Sequence, residues 1–336
     1  MNFLKSVRKN IRENAALLVL LLLIVAFFWA FSKNHSYLSV YNIGYILNAM
    51  AVSAPLAVGG GIIIIFGDVD LAPGYIGTAA GTMMTVLLTK FGMPWYLTII
   101  LALVLGAVFG LLNAFLINEW KMQSFIATLA TGSFLAAGLA YIFVGGKTIQ
   151  LKDPALVYIA STKIFGVITI PVIIALVIIL VYGIILAKTS FGRSIYLCGE
   201  NRKAARLVGL NPRKLSYILF ANSGILGALA GVIYDIRLLS GHLTATNHHT
   251  FPAITAAILG GLVLGGGKGN MFGCFLGLLI ISCFNNGLSV IGVPGLWQNV
   301  TSGALLLVAL TVNYLTSLKG SKKNKKKGGE VVEQAA

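Results

Sequence analysis

Acidic residues are scarce in this chain: nine Asp and Glu stand among 336 residues, against 25 Lys and Arg. The nine are scattered, which excludes the clustered carboxylates of acid–base catalysis or hard-metal binding. Charge of either sign amounts to 10% of residues, far below the roughly 25% of an ordinary soluble domain. Such a chain cannot cover itself with polar surface. Three cysteines, Cys198, Cys274 and Cys283, provide neither a paired disulfide framework nor close thiolate spacing for zinc, and read as small packing residues. The four histidines, His35, His242, His248 and His249, fall in expected external loops without a nucleophile pair or metal triad, so no enzyme, metal or cofactor is expected. A phosphate loop is missing too. Gly265-Gly-Gly-Lys268 is followed by Gly269 instead of Ser or Thr, and Leu262 stands where the first glycine belongs. Any ATP driving this chain binds elsewhere.

What the sequence does have is long apolar runs. They lie at 15–31, 43–66, 73–90, 95–118, 124–144, 168–187, 214–236, 252–265, 271–291 and 295–315, most of them near the ~20 residues a spanning helix needs. The expected fold is all-α and polytopic, with about ten transmembrane helices. Residues 1–14 form a basic cytoplasmic N-terminus, 15–315 the membrane domain and 316–336 a basic tail. The first run is longer than a signal-peptide core, has no small-residue cleavage site before Lys33, and reads as an uncleaved span.

The location of the positive charge orients the bundle. Ten spans put both termini on one side, and the outer side then keeps only six of the 25 cations: Lys33, Lys90, Lys147, Lys152, Lys163 and Arg237. The rest fall at the N-terminus, at Lys121, in 188–214, at Lys268 and in the tail, giving an N-in, C-in topology by the positive-inside rule. Lys322 to Lys327 read as a solvated end near anionic lipid. The cations are not interleaved with aromatics as a nucleic-acid surface requires, so no nucleic acid is expected.

Glycines recur at four-residue spacing at Gly77/Gly81, Gly106/Gly110, Gly227/Gly231 and Gly273/Gly277, where they let helix backbones approach closely. GAVFGLL (106–112) echoes GCFLGLL (273–279) five spans later, and an odd offset reverses orientation, as in an inverted repeat. Two runs look irregular. The second contains Gly59-Gly60-Gly61 and the eighth is short, so both are expected to be broken or re-entrant beside a translocation path, or simply kinked.

The segment 188–214 is the most informative. Asn201 suits an N-cap, Ala204 and Ala205 favour helix, Arg206 follows them, and Gly209 closes the turn before Asn211-Pro212. A helix so short needs a partner surface. Asp68 and Asp70 precede a helix opened by Pro73. Two readings stand: favourable placement at its positive dipole end, or a re-entrant gate near the path. Asn113, Asn285 and Asn286 either bond solute hydroxyls or link helices.

Four stretches together resemble the membrane subunits of ribose-type, simple-sugar ABC importers: GDVDLAPG (67–74), FIATLAT (125–131) leading to GLAY (138–141), Phe191-Gly192-Arg193 through Gly199 to Gly209, and AILGG (257–261) through GGKG (266–269). The resemblance covers nearly the whole chain. It departs at Glu200, where a second glycine is usual, and at Ala72, where a serine-like residue is usual. It implies that 191–209 docks on a cytoplasmic ABC ATPase, that an extracytoplasmic binding protein delivers the solute, that a second permease copy, identical or related, completes the path, and that the assembly sits in a bacterial inner membrane. Phe125 and Thr128, within the matching stretches, join the candidate path. ABC permeases for nucleosides, branched-chain amino acids or a signalling furanose, and an ion-coupled secondary transporter, are the alternatives.

Overall fold

The computed structural model describes residues 14–294 except residue 165, with isolated positions between 297 and 311. Residues 1–13, most of the tenth run and the basic tail lie outside the described residues. In chain order the helices are α1 (Ala15–Phe31), α2 (Val40–Phe66), α3 (Pro73–Thr89), α4 (Trp95–Asn118), α5 (Ser124–Val144) and α6 (Pro154–Ser161). They continue as α7 (Ile170–Lys188), α8 (Ser190–Glu200), α9 (Arg202–Leu207), α10 (Pro212–Leu238), α11 (Thr250–Leu259) and α12 (Met271–Val290). Six of these, α2, α4, α5, α7, α10 and α12, are long and apolar enough to cross a membrane. The chain is an all-α, multi-pass membrane protein. Its strands, among the described residues, are two-residue pairings: 149–150 with 240–241, and 163–164 with 168–169.

Helix ends follow the polar residues. Ser39 Oγ accepts the Asn42 N–H at the start of α2, and Gly67 closes that helix at φ +90°. Asn211 and Asn270 cap α10 and α12 through the N–H groups of Lys214 and Gly273. The expectation of a broken second run at Gly59–Gly61 is not met: α2 runs unbroken through Pro55 and all three glycines. These residues are held by neighbours on several sides. A Cβ on Gly59 would meet Ser223 and Leu226 of α10, and one on Gly61 would meet Leu262 at 2.9 Å, so the glycines serve packing and leave the backbone helical.

The break comes after Gly67 instead. Residues 67–72 run without helix from the inner end of α2 to Pro73, a length of chain that reaches at most about 20 Å. Pro73 lies against Gly227 of α10, about 22 Å along that helix at 1.5 Å per residue. Helix α3 therefore starts at membrane depth. The short eighth run behaves likewise. After Leu238 the chain turns back, and α11 begins at Thr250 beside Gly74, at the same depth.

Two long helices of 27 residues each, α2 and α10, form the centre and run antiparallel. Arg237 lies over the Tyr45 ring at one end, and Ser223 meets Gly59 towards the other. Each is followed by a break, a helix starting at depth, and a spanning helix bearing one of the two echoed GxxxG runs, α4 or α12. The order repeats with reversed direction, in keeping with the inverted-repeat expectation.

Helix α10 is the packing hub, and its contacts with α3 and α4 are backbone to backbone. A Cβ on Gly231 would lie 1.8 Å from the Gly77 carbonyl oxygen, and one on Gly224 would lie 2.0 Å from that of Gly106. In lipid, where no hydrophobic force presses helices together, this fit supplies the adhesion. Gly224→Val is expected to destabilise the bundle by at least about 3 kcal/mol, the upper end of ordinary overpacking. Gly138→Ala, at a position with nothing within 4 Å, should leave thermal unfolding in detergent unchanged.

Candidate translocation site

A chain crossing the membrane interior without helix must still satisfy its backbone N–H groups. The Gly67 and Asp68 N–H groups donate to the Ile64 and Ile63 carbonyls of α2, and further along side chains take over. The Val69 N–H donates to Ser124 Oγ at 3.1 Å, the Leu71 N–H to Thr128 Oγ1 at 3.1 Å, and the Ala72 N–H to Asp70 Oδ1 at 3.0 Å. Asp70 is buried and takes a second bond at Oδ2 from the Ser223 hydroxyl of α10, at 2.7 Å. Asp70 and Thr128 thus brace the rising segment. Asp68 stays at the inner face, ion-paired with Arg202 of α9 at 2.6 Å, while the Arg202 guanidinium lies 4.7 Å from the Phe66 ring centre. The descending segment is held the same way. The Thr246 hydroxyl donates to the Gly74 carbonyl at 2.6 Å, the Thr246 N–H to Thr78 Oγ1 at 3.1 Å, and the Thr78 hydroxyl to Asn247 Oδ1 at 2.7 Å.

The seven candidate path residues are not brought together. Asn113 is buried where α4 meets α5, accepting from the Thr131 hydroxyl, and its Nδ2 has no partner. Phe125 is half exposed on the outside of α5. Asn285 and Asn286 lie some distance away along the chain, on α12, at a cavity of about 350 Å³, near the lower end of the roughly 300–1,000 Å³ of small-molecule sites.

That cavity lies between the outer half of α2, the end of α10, and α12. Its lining mixes polar groups, Ser53 from α2, Tyr234 and Arg237 from α10, and Ser282, Asn285 and Asn286 from α12, with apolar Ala49, Leu238, Pro252 and Ile281. Asn286 exchanges paired bonds of 2.9 Å with Asn42, which fixes its amide. The Asn285 Oδ1 is buried without a partner. The returning chain closes the cavity floor with His248 and His249, and His249 Nδ1 sits 3.0 Å from Ser53 Oγ. Ser53 is midway along α2, so His249 lies deep in the bundle. The sequence reading that put every histidine in an external loop is corrected here, because the chain after Leu238 folds back inward. Arg237, counted as an outer-loop cation, likewise faces the cavity. Its position one residue beyond the apolar run 214–236 was the available signal.

At the inner face, the segment 188–214 is a pair of helices. The second, α9, has the expected form: Asn201 Oδ1 accepts from the Lys203 and Ala204 N–H groups at 2.9 and 3.0 Å, and Gly209 has φ +82°. The first, α8, was not foreseen. It is capped by Thr189 Oγ1 at the Gly192 N–H, and it buries Ile195 and Cys198 one turn apart. Burial pushes the Cys198 thiol pKa up, away from reactivity.

The nine candidate docking residues divide by exposure. Phe191, Arg193, Asn201, Ala204, Arg206 and Gly209 are exposed. Gly192 packs on Ile185 and Leu186, and Ala205 is buried within the chain. Gly199 sits against the Ile65 carbonyl and Gly267, and the Gly267 N–H itself donates to that carbonyl at 2.8 Å. The glycine-rich 265–269 stretch is therefore a clasp on the end of α2. Leu207 and Val208, unmarked by the sequence reading, are 89% and 70% exposed, an apolar tip offered to solvent. Beside the pair, Glu119 accepts from the Tyr217 hydroxyl and pairs with Arg213; the hydrogen bond first and the guanidinium after it hold its carboxyl below its usual pKa.

A helical bundle with two breaks at depth, a polar cavity and an exposed inner-face helix is the architecture of a transport permease. The family model described as "Branched-chain amino acid transport system / permease component" matches residues 42–310, and the chain belongs to this family. It is 34% identical to the ribose import permease protein of Haemophilus influenzae, covering 85% of this chain and 89% of that one. It is 33% identical to the fructose import permease protein of Bifidobacterium longum, covering 86% and 83%. It is 29% identical to the xylose transport system permease protein of Haemophilus influenzae, covering 91% and 97%.

The buried Asp70 provides a test of how the rising segment is held. Ser223→Ala leaves its Oδ2 without a donor and should cost about 1–3 kcal/mol, the desolvation penalty of an unpaired buried group, read as a lowered midpoint of thermal unfolding. Phe125→Ala, at an exposed position, should shift the midpoint far less.

Proposed function

We propose that this chain is the membrane-spanning subunit of a bacterial ABC importer for a small sugar, working in the inner membrane with a cytoplasmic ATPase, an extracytoplasmic binding protein and a second permease copy. The carrying observation is the pairing of the two sites. A polar cavity sits in the half of the bundle that the charge bias assigns to the outside, and a capped helix with an uncovered apolar tip sits at the opposite face. The relatives named for ribose, fructose and xylose point the same way.

The cavity chemistry separates the solute classes. A polyhydroxylated solute needs hydroxyl and amide partners in both donor and acceptor roles, which Ser53, Tyr234, Ser282 and Asn285 provide. A branched-chain amino acid needs an anion for its ammonium, and the cavity lining, which has apolar residues, contains no Asp or Glu. Ion coupling would call for free, paired ionisable groups at depth. Asp70 is instead occupied by Ser223 and Ala72, and Asp235, whose Oδ2 takes the Thr85 hydroxyl at 3.1 Å while its Oδ1 has no partner, forms no ion pair with another described residue.

In this reading the ATPase pair closes on α9 and the motion reaches the core through the Asp68–Arg202 ion pair, since Asp68 begins the segment that leads to α3. Ala204→Arg, on the exposed face, is expected to abolish ATP-driven uptake while the protein stays inserted and folded. Ala205→Arg should instead destabilise the chain, because that side chain faces inward. Unimpaired uptake by Ala204→Arg would remove the docking role. Asp68→Arg and Arg202→Asp should each lower the ratio of solute moved to ATP hydrolysed, and the double exchange should restore it. Failure of the double variant to recover coupling, with each single variant impaired, would show that the pair does not carry the motion.

A further inference from the structure

The cavity carries a net positive character that a neutral sugar does not require. Arg237 projects into it, His248 and His249 close its floor, and no carboxylate lines it. Among the described residues the side-chain ion pairs are Arg202–Asp68 and Arg213–Glu119, both at the inner face. Asp235, two residues before Arg237, turns the other way and bonds Thr85 of α3. The neighbours that face the guanidinium are the Tyr45 ring, 5.6 Å from its carbon, and the Tyr234 and His249 side chains lining the same space. A guanidinium set in a cavity whose lining, among the described residues, holds no carboxylate is half of an ion pair. Asn285 and Ser282 line the same space and supply amide and hydroxyl partners for sugar hydroxyls.

We propose that the solute taken by this cavity is an anionic monosaccharide, a sugar acid whose carboxylate is held by Arg237 and whose hydroxyls reach Asn285 and Ser282. This rests on the cavity being the solute path and specifies the class of sugar within that reading. One guanidinium matches one carboxylate through two parallel N–H donors. His248 and His249 offer ring nitrogens as hydrogen-bond partners at the floor.

The test uses the full-length chain in lipid nanodiscs with Ala49→Cys, a lining position outside the proposed contacts, as a reporter, its own three cysteines being buried and the parent chain serving as the labelling control. An anionic methanethiosulfonate should modify the reporter roughly tenfold faster than a cationic one of similar size, at the lower end of electrostatic focusing in a charged cleft. Arg237→Gln should abolish that preference and Arg237→Lys should keep it. D-galacturonate should slow the labelling at concentrations where D-galactose does not, and this protection should vanish in Arg237→Gln. Equal protection by the two sugars would overturn the anionic class while leaving the cavity as the sugar path. A reporter that neither reagent modifies would overturn both.

Discussion

Every backbone N–H and C=O in the membrane interior must find a partner within the protein, and most of this structure follows from how that constraint is met at two places where helix is absent. Helix satisfies its own backbone, so a break requires side chains in fixed positions. On the rising side Ser124, Thr128 and Asp70 fill the role, and Ser223 holds Asp70. On the returning side Thr78 and Thr246 bind each other's segments. The hydroxyl groups that look like candidates for solute binding are thereby consumed in holding the fold. What they hold is the position of Pro73 and of Thr250, where two helices start inside the bundle instead of at its surface.

The glycine seam around α10 is the other half of the same economy. With α3 and α4 touching it backbone to backbone, α10 leaves no room on the side it presents to them, and the cavity in the outer half lies on another side, between its last turns, α2 and α12.

Much of this was legible in the sequence. Apolar run length located nine described helices, since lipid thickness fixes how many residues a span needs. Asn201, Gly209 and Pro212 gave the inner-face helix because caps are local chemistry. The Gly59–Gly61 triplet misled: three glycines weaken a helix in isolation, yet α10 and α11 enclose them and keep α2 straight through. The site was harder to read. His249 and Arg237 sit beyond the ends of apolar runs and so counted as outside, while the fold-back that carries His249 to Ser53 depends on long-range contacts such as Thr246 with Gly74, which no local pattern encodes. Helix α8 was hidden for a related reason. Its buried face is only Ile195 and Cys198 with Gly192, too narrow to stand out among charged neighbours.

The clasp at the inner face has a mechanical meaning. Gly199 of α8, Gly267 of the loop before α12 and the terminal carbonyls of α2 meet within backbone contact, so three separate parts of the bundle share one anchorage. Under the proposed docking role, a push on α8 and α9 would meet no slack loop. It would pass at once to α2, whose far half is a wall of the cavity, and the helix would act as a lever with its handle at one face and its working end towards the other.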